Sequence, residues 1–157
     1  NEYTGGNKYA TKVLEDLNQL ANDNDKLKSR LNDLEKSKNK HIIQMPHDKE
    51  FNQNKANYND LKNKKSTGST TTYDPYNEKN KGGDTRTPRA GLAHELLGHG
   101  WDADQGKTDY NLTSNGIPMF EVNAIKIENI VRSVTGDPKR TTTGQKSIPE
   151  DLLNNAP

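Results

Sequence analysis

The segment His94-Glu95-Leu96-Leu97-Gly98-His99 places two histidines around a glutamate in an apolar stretch of a polar chain. Neutral imidazoles are good zinc ligands, and a carboxylate beside the first ligand can act as general base on a metal-bound water. The usual zinc-peptidase helix carries H-E-x-x-H, with both rings on one helix face. The segment therefore predicts a Zn²⁺ site with His94 and His99 as ligands and Glu95 as the catalytic base.

The two histidines are five residues apart rather than four. At about 100° per residue, an ideal α-helix would turn the second ring roughly 140° away from the first. A one-residue π-bulge brings the rings back together, and Gly98 lowers the steric cost of such a distortion. We therefore predict a helix that is distorted at Leu96–Gly98. The alternative is a capped, regular helix with two incidental imidazoles.

Two helices must position these residues. The metal-binding helix is predicted to begin near Thr87-Pro88, which supply an N-cap and a first-turn proline. It is predicted to end around His99-Gly100, where a glycine suits the C-terminal cap. A long final helix is predicted from about Pro118 to Val134, because proline opens it and Gly136 closes it.

The final helix carries Glu121, Ile125, Glu128 and Arg132 on one face. Catalytic zinc takes three protein ligands plus water, and two histidines with one glutamate is a known set. Glu121 is the first candidate for the third ligand, Glu128 the second, and an acid in the Asp102–Asp109 loop the third. In the alternative interpretations, Glu128 and Arg132 form an ion pair on a solvated face, or Arg132 holds Glu128 so that it orients a ligand.

The N-terminal half predicts the elements that pack against this site. Apolar residues at helical spacing predict two helices within residues 8–37, either a hairpin or one bent helix. Short strands are predicted at His41–Met45 and Thr70–Tyr73, and the second could offer its edge to an extended substrate peptide. Residues 47–67 and 77–86 are predicted to be exposed polar loops.

These elements predict an α+β fold, a compact zincin-like arrangement with a small β-sheet, a metal-binding helix and a long C-terminal ligand helix. A chain of 157 residues has the size of a single domain. Its predicted parts are a helical hairpin over residues 1–40, strands and loops over 41–86, and the metal-site helices and tail over 87–157.

Composition excludes several classes of protein. A net charge of +1 with interspersed signs gives no electrostatic case for nucleic acid. No apolar run is long enough to span a membrane, and the absence of cysteine excludes disulfides and thiolate zinc ligands. Hydrophobic residues make up 27% of the chain, which predicts much solvated loop or extended helix. Since the chain begins at Asn1 without a methionine or signal peptide, we expect a piece of a longer polypeptide.

The motif His94-Glu95-Leu96-Leu97-Gly98-His99-Gly100, with Glu121-x-x-Ala124 downstream, resembles the gluzincin branch of zinc metallopeptidases. Its six-residue H-E-L-L-G-H form looks like that of the dipeptidyl peptidase III family, whose third ligand is also a glutamate in an E-x-x-A setting. This likeness covers little more than the motif.

A broader resemblance is to the effector-type zinc metallopeptidase domains at the C-termini of RHS-repeat and related polymorphic toxins of bacteria. Such domains usually carry H-E-L-x-H, and the extra residue departs from that pattern. The resemblance implies His94 and His99 as ligands, Glu95 as catalytic base and Glu121 as third ligand. It extends in order through the N-terminal helices, Leu34 to Asn39, Gly68-Ser69-Thr70, Leu92 to Glu95, Glu121 to Arg132, and Gly136 to Arg140.

The implied function is zinc-dependent peptide hydrolysis by a secreted toxin or effector endopeptidase, part of a larger protein delivered into a target cell. The expected partners are a protein or peptide substrate and an immunity protein, with no nucleic acid and no membrane. Tyr110, Arg132 and Arg140 are candidates for stabilising the oxyanion. The alternatives are a non-catalytic zinc-binding or degenerate interaction module and a metalloenzyme with a non-peptide substrate.

Overall fold

The computed structural model describes residues 2–3, 6–80 and 84–154, and it confirms the predicted α+β fold. The helices are α1 (Gly6–Asp23), α2 (Asp25–Lys36), α3 (Tyr58–Lys62), α4 (Pro88–Leu92), a π-helix (Ala93–Gly100), α5 (Trp101–Gln105), α6 (Met119–Thr135) and α7 (Glu150–Asn154). The strands are β1 (Glu2–Tyr3), β2 (His41–Gln44), β3 (Gln53–Ala56), β4 (Ser69–Thr72), β5 (Thr142–Thr143) and β6 (Lys146–Ser147). Within the described ranges, no helix is both long and apolar enough to cross a membrane.

Helices α1 and α2 form the N-terminal hairpin. Asn24 lies between them, and its side-chain oxygen accepts hydrogen bonds from the amides of Lys26 and Leu27, which caps α2. The apolar faces of both helices are buried against the histidine-bearing helix. This core contains Tyr9, Val13, Leu17, Leu20, Leu27, Leu31 and Leu34 from the hairpin and Leu92, Leu96 and Leu97 from the other side. Since each such side chain contributes about 1.5–3 kcal/mol on burial, the hairpin anchors the motif from behind.

The main sheet has the order β1-β2-β4-β3, with β1, β2 and β4 parallel and β3 antiparallel to β4. Both predicted strands are confirmed as β2 and β4. The prediction that Thr70–Tyr73 offers a free edge is wrong, because β4 pairs with β2 on one side and β3 on the other. The edge nearest the histidine motif is therefore that of β3.

The prediction of a loop over residues 47–67 is wrong in part, because β3 and α3 lie within it. The Gln-Asn-Lys sequence of β3 has little intrinsic strand propensity. Its pairing is stabilised by Asn54, whose amide donates to Ser69 Oγ at 2.9 Å and to Thr71 Oγ1 at 2.8 Å on β4. The other predicted polar loop, 77–86, contains a bridge between Lys79 and Thr85, and its residues 81–83 lie outside the described residues.

Helix α4, the π-helix and α5 follow one another without a break. Pro88 occupies the first turn as predicted, but the Thr87 side chain makes no capping hydrogen bond. The predicted end at Gly100 is wrong, because α5 continues to Gln105 and ends at Gly106, which has a φ of 65°. Gly100 instead permits a close approach to the sheet, since a Cβ there would lie 3.2 Å from Ser69 Oγ.

Helix α6 agrees with the predicted final helix, with Pro118 before it and Gly136 after it. It packs along the π-helix. A Cβ on Gly98 would lie only 2.8 Å from the Cα of Ala124, so glycine permits this close packing. Sequence reasoning assigned Gly98 to easing the helix distortion, whereas the structure shows that it makes room for α6.

Candidate metal centre

The histidine motif lies within the π-helix, which confirms the predicted distortion. A π-turn is closed by a hydrogen bond between residues i and i+5, the same interval that separates His94 from His99. Their ring centroids are 4.9 Å apart, so the wide turn brings the two imidazoles together. The distortion covers eight residues and is thus longer than the predicted Leu96–Gly98.

Glu121, in the first turn of α6, lies directly against the two histidines. Its Oε1 is 2.8 Å from His94 Nε2 and 3.9 Å from His99 Nε2. Each of these three residues offers a ligand atom, and all of those atoms lie within 4.8 Å of one another. Glu95 lies beside them, with its Oε1 3.6 Å from His94 Nε2. The structure therefore brings together the four residues that the sequence singled out.

The balance of donors and acceptors in this cluster fits a divalent cation. His94 Nδ1 lies 2.9 Å from Glu128 Oε1, and an ionised carboxylate only accepts, so this nitrogen carries the donated proton. Nε2 of a neutral ring then directs its lone pair at Glu121 Oε1, which is buried and has no hydrogen-bond donor among the described residues. Either the ring carries a second proton or a cation lies between the two groups. Two imidazoles and a carboxylate are a donor set of catalytic zinc sites.

The charges around the cluster also favour a positive occupant. Burial lowers the pKa of His94, but Glu95, Glu121 and Glu128 outweigh it and raise the pKa to about 10. Burial lowers the pKa of His99. Although burial raises the pKa of Glu121, the neighbouring histidines and Arg140 bring that pKa to about 2.

Glu128 is fully buried behind His94 and is surrounded by three arginines. Its Oε2 accepts from Arg132 Nε at 2.8 Å and lies 3.1 Å from Arg86 Nη1, while its Oε1 accepts from Arg140 Nη1 at 2.8 Å. Burial raises the pKa of Glu128, but His94 and the arginines hold it well below its usual range. The predicted ion pair with Arg132 is present, but the prediction that it lies on a solvated face is wrong, because both side chains are buried. Glu128 instead orients His94, as carboxylates commonly orient zinc-binding histidines.

The acids of the predicted Asp102–Asp109 loop lie elsewhere. Its first part is helical, since α5 extends to Gln105. Asp104 contacts His41, with 3.0 Å between its Oδ1 and His41 Nε2. Asp102 lines a separate cavity beside Trp101. The Asp102 and Asp104 side chains therefore lie away from the His94 cluster.

The three residues predicted as candidates for stabilising the oxyanion lie in different places. Arg140 lines the cleft above the histidines. Arg132 lies behind Glu128, with its Nη1 donating to the carbonyl of Pro138 at 2.8 Å. Tyr110 packs edge-on against Phe120, with ring centroids 5.2 Å apart. Of the three, Arg140 therefore has the placement required to reach a substrate.

A cleft of about 770 Å³ opens over the cluster. Residues at the start of β3 form one wall, and the β5–β6 hairpin contributes Thr142, Thr143, Gly144 and Gln145. Sequence reasoning missed both walls. The β-branched pair followed by Gly144 is a hairpin signal that could have revealed the second wall. Arg86, one basic residue in a polar loop, offered no comparable signal.

One comparison with known proteins identifies the family of the chain. The model of the family Peptidase_M91, described as "Effector protein", matches residues 1–150. The chain therefore belongs to this family of effector metallopeptidases, and an effector peptidase acts on protein substrates. Neither a curated protein nor a solved structure matches the chain. The resemblances to RHS-associated toxins and to the dipeptidyl peptidase III family stay predictions.

Proposed function

We propose that this effector peptidase is a zinc-dependent endopeptidase in which His94, His99 and Glu121 hold one Zn²⁺. The observation that carries the proposal is the convergence of their ligand atoms within 4.8 Å of one another at the base of the cleft. Three protein ligands are typical of catalytic zinc, because they leave a position open for the reaction.

The residues around the ligands have the placements that peptide hydrolysis needs. A bound zinc ion supplies Lewis acidity that polarises the scissile carbonyl and lowers the pKa of water. Glu95, which lines the cleft, takes a proton from the attacking water and delivers it to the leaving amine. Glu128 keeps the His94 ring oriented through Nδ1. Arg140 stabilises the negative charge that develops on the carbonyl oxygen, since its guanidinium is fixed by Glu128 at the cleft.

An extended protein segment is the substrate that suits this cleft. Strand β3 lies at the edge of the sheet, and within the described residues its one strand partner is β4, which leaves its other side free of strand pairing. Gln53 and Asn54 of this strand line the cleft. A peptide that adds to this edge would have its backbone held by main-chain hydrogen bonds, with side chains deciding specificity. This assigns to β3 the role that sequence reasoning gave to Thr70–Tyr73.

The cellular role follows from the family and from the resemblance to RHS-associated toxins. We infer that the domain is secreted or delivered into a target cell as part of a larger protein. Its partners are a protein substrate in that cell and an immunity protein that protects the producer. Charge and composition give no reason to include nucleic acid or membrane among them.

The test combines metal analysis with cleavage of a diverse peptide library. We expect one zinc per chain and cleavage by the wild type. Glu95→Gln should keep zinc and fold but lose about 10²–10⁴-fold in rate, because an amide cannot take the proton of water. Glu15→Gln, an exposed position on α1, is the matched control and should behave as wild type.

Two results would contradict the proposal in different ways. Equal cleavage by Glu95→Gln and wild type would remove the general-base role. Zinc bound by a chain that cuts no peptide would indicate the non-catalytic zinc-binding module instead.

A further inference from the structure

The wide turn of the π-helix changes the hydrogen bonding of one buried carbonyl. In a regular α-helix the amide of Trp101 would bond to the carbonyl of Leu97, four residues before it. In this structure that amide bonds to the carbonyls of Leu96 and Gly98 instead. Leu97, which is fully buried and lies between the two histidines, thus loses its usual backbone donor.

A side chain from the N-terminal hairpin donates to this carbonyl. Arg30 of α2 reaches across the helix interface, and its Nη1 donates to the carbonyl oxygen of Leu97 at 2.8 Å. Its guanidinium carbon lies 3.8 Å from the centre of the Trp101 ring. The Trp101 indole is fixed in turn by a 2.9 Å hydrogen bond from its Nε1 to Asp33 Oδ2. Arg30 therefore contacts the π-helix where it returns to α-helix.

We propose that Arg30 is a positioning residue for the metal centre, holding the π-turn that directs His99 towards His94. The physical reason is a competition for one carbonyl. Without Arg30 this buried carbonyl would lose a hydrogen-bond donor, which would favour return of the Trp101 amide to Leu97. That return closes an α-turn, and an α-turn directs the rings of residues five apart away from each other.

This inference rests on the proposed zinc function and extends it to a residue outside the cleft. Arg30→Met removes the donor but keeps an unbranched apolar stem. We expect it to weaken zinc affinity by about 10–100-fold, the range for residues that orient metal ligands. Zinc affinity would be measured by competition with a chelator, together with the melting temperature of the metal-free chain.

Arg89→Met is the matched control. The Arg89 side chain also pairs across a helix interface, with its Nε 2.7 Å from Asp23 Oδ2, but this pairing is to α1 and leaves the backbone of the π-helix untouched. Its loss should lower the melting temperature and leave zinc affinity within about twofold of wild type, the outcome of a lost ion pair alone. A purely structural role of Arg30 would give the same result as this control.

Deleting Leu97 gives a second test, because it restores the four-residue spacing and removes the need for a wide turn. In that background, Arg30→Met should have little effect on zinc affinity. If Arg30→Met does not fold, the zinc affinity of Arg30→Lys is compared with that of Arg89→Lys. Lysine keeps the positive charge but replaces the planar guanidinium with a single ammonium group. Wild-type zinc affinity in the Arg30 variants would overturn the inference. A wild-type chain without zinc affinity would overturn the proposed function itself.

Discussion

In the part of the chain that the structure describes, a histidine lies against a carboxylate in two buried clusters, one around His41 and one around His94. His41 is 1% exposed, and its ring bonds to Ser69 Oγ at 2.9 Å and to Asp104 Oδ1 at 3.0 Å. Asp104 accepts further bonds from Ser37 and Asn39. Both ring nitrogens of His41 thus have one partner each, and the cluster joins β2, β4 and α5.

The His94 cluster differs from the His41 cluster in the groups that face its ring nitrogens. Carboxylate oxygens of Glu121 and Glu128 face the two nitrogens of the His94 ring, and the cluster opens into a cleft. Among the residues that the structure describes, Glu121 Oε1 has no hydrogen-bond donor of good geometry. A histidine beside an acid is therefore not by itself the sign of a site. The informative feature is the meeting of two imidazoles with the carboxylates of Glu95 and Glu121 at the base of a cleft, because this donor set suits a metal cation.

The largest expected effect separates the two histidines directly. His94→Ala should abolish zinc binding, whereas His41→Ala should lower the melting temperature and still bind zinc. Zinc at about 100 times its dissociation constant stabilises the folded state by about 2.7 kcal/mol, so wild type and His41→Ala should both melt higher with zinc. His94→Ala should show no such increase. A zinc-dependent increase in His94→Ala would refute the assigned ligand set.

Removing the charge of the carboxylate beside each histidine, Glu128 or Asp104, should also affect zinc binding differently. Glu128→Gln leaves three arginines around a neutral amide, and removing one partner of a buried charge cluster costs about 3–5 kcal/mol. We also expect zinc affinity to fall by about 10–100-fold, because His94 loses its anionic partner. Asp104→Asn should cost about 1–3 kcal/mol and leave zinc affinity unchanged. Equal zinc affinities for both variants and wild type would contradict the orienting role of Glu128.

The sequence predicted the chemistry of the His94 cluster better than its surroundings. The types and spacing of His94, Glu95 and His99 were sufficient to predict a distorted helix, because a regular α-helix cannot direct both rings to one ion. The glutamate stripe of α6 was visible from its periodicity. Sequence reasoning ranked Glu121 before Glu128 as the third ligand, but periodicity alone could not decide between them, since the choice depends on how α6 packs against the π-helix.

Features that depend on distant contacts were missed for a similar reason. Strand β3 has weak strand propensity and is stabilised by Asn54 bonding across to β4. Gly100 resembles a helix C-cap locally, but its role is a close approach to Ser69. Arg30 and Arg86 each lie among other basic residues of their segments, and only the tertiary fold brings them to Leu97 and Glu128.

Two glycines of the π-helix allow the clusters to be disturbed separately. Gly98→Ala would place a Cβ 2.8 Å from the Cα of Ala124, and α6 must shift because backbone cannot yield locally. Overpacking of this kind costs about 1–3 kcal/mol, and here it should also weaken zinc binding by moving Glu121. Gly100→Ala would meet side-chain atoms of Ser69 and Asn54 at 3.2 and 3.3 Å, so a smaller loss of stability and no loss of zinc are expected. Melting curves with and without zinc would distinguish the two variants. A greater loss of zinc binding in Gly100→Ala than in Gly98→Ala would contradict this prediction.

The smallest expected effect concerns two aspartates on α5, Asp104 and Asp102, which differ in their hydrogen-bond partners. Asp104 has partners: burial raises its pKa, but hydrogen bonds from Ser37, His41 and Asn39 bring it below the ordinary value. Asp102 Oδ2 is buried without a hydrogen-bond donor, and burial raises the pKa of Asp102 to about 7. Ionised Asp104 therefore stabilises the fold at neutral pH, and this stabilisation is lost on acidification. Ionised Asp102 instead destabilises the fold at neutral pH, and this destabilisation is relieved on acidification.

Between the ordinary value of 3.8 and about 7, the folded chain retains a proton on Asp102 that the unfolded chain has lost. Asp102 therefore lowers stability progressively as pH rises through this range and by a constant amount above it. Asp102→Asn should raise the melting temperature at pH 8 by about 2–4 °C, corresponding to about 1 kcal/mol. This gain should disappear by pH 4, whereas Asp104→Asn should be destabilising at pH 8. Melting curves from pH 4 to 8 test both signs, and a pH-independent gain in Asp102→Asn would show that ionisation of Asp102 is not its cause.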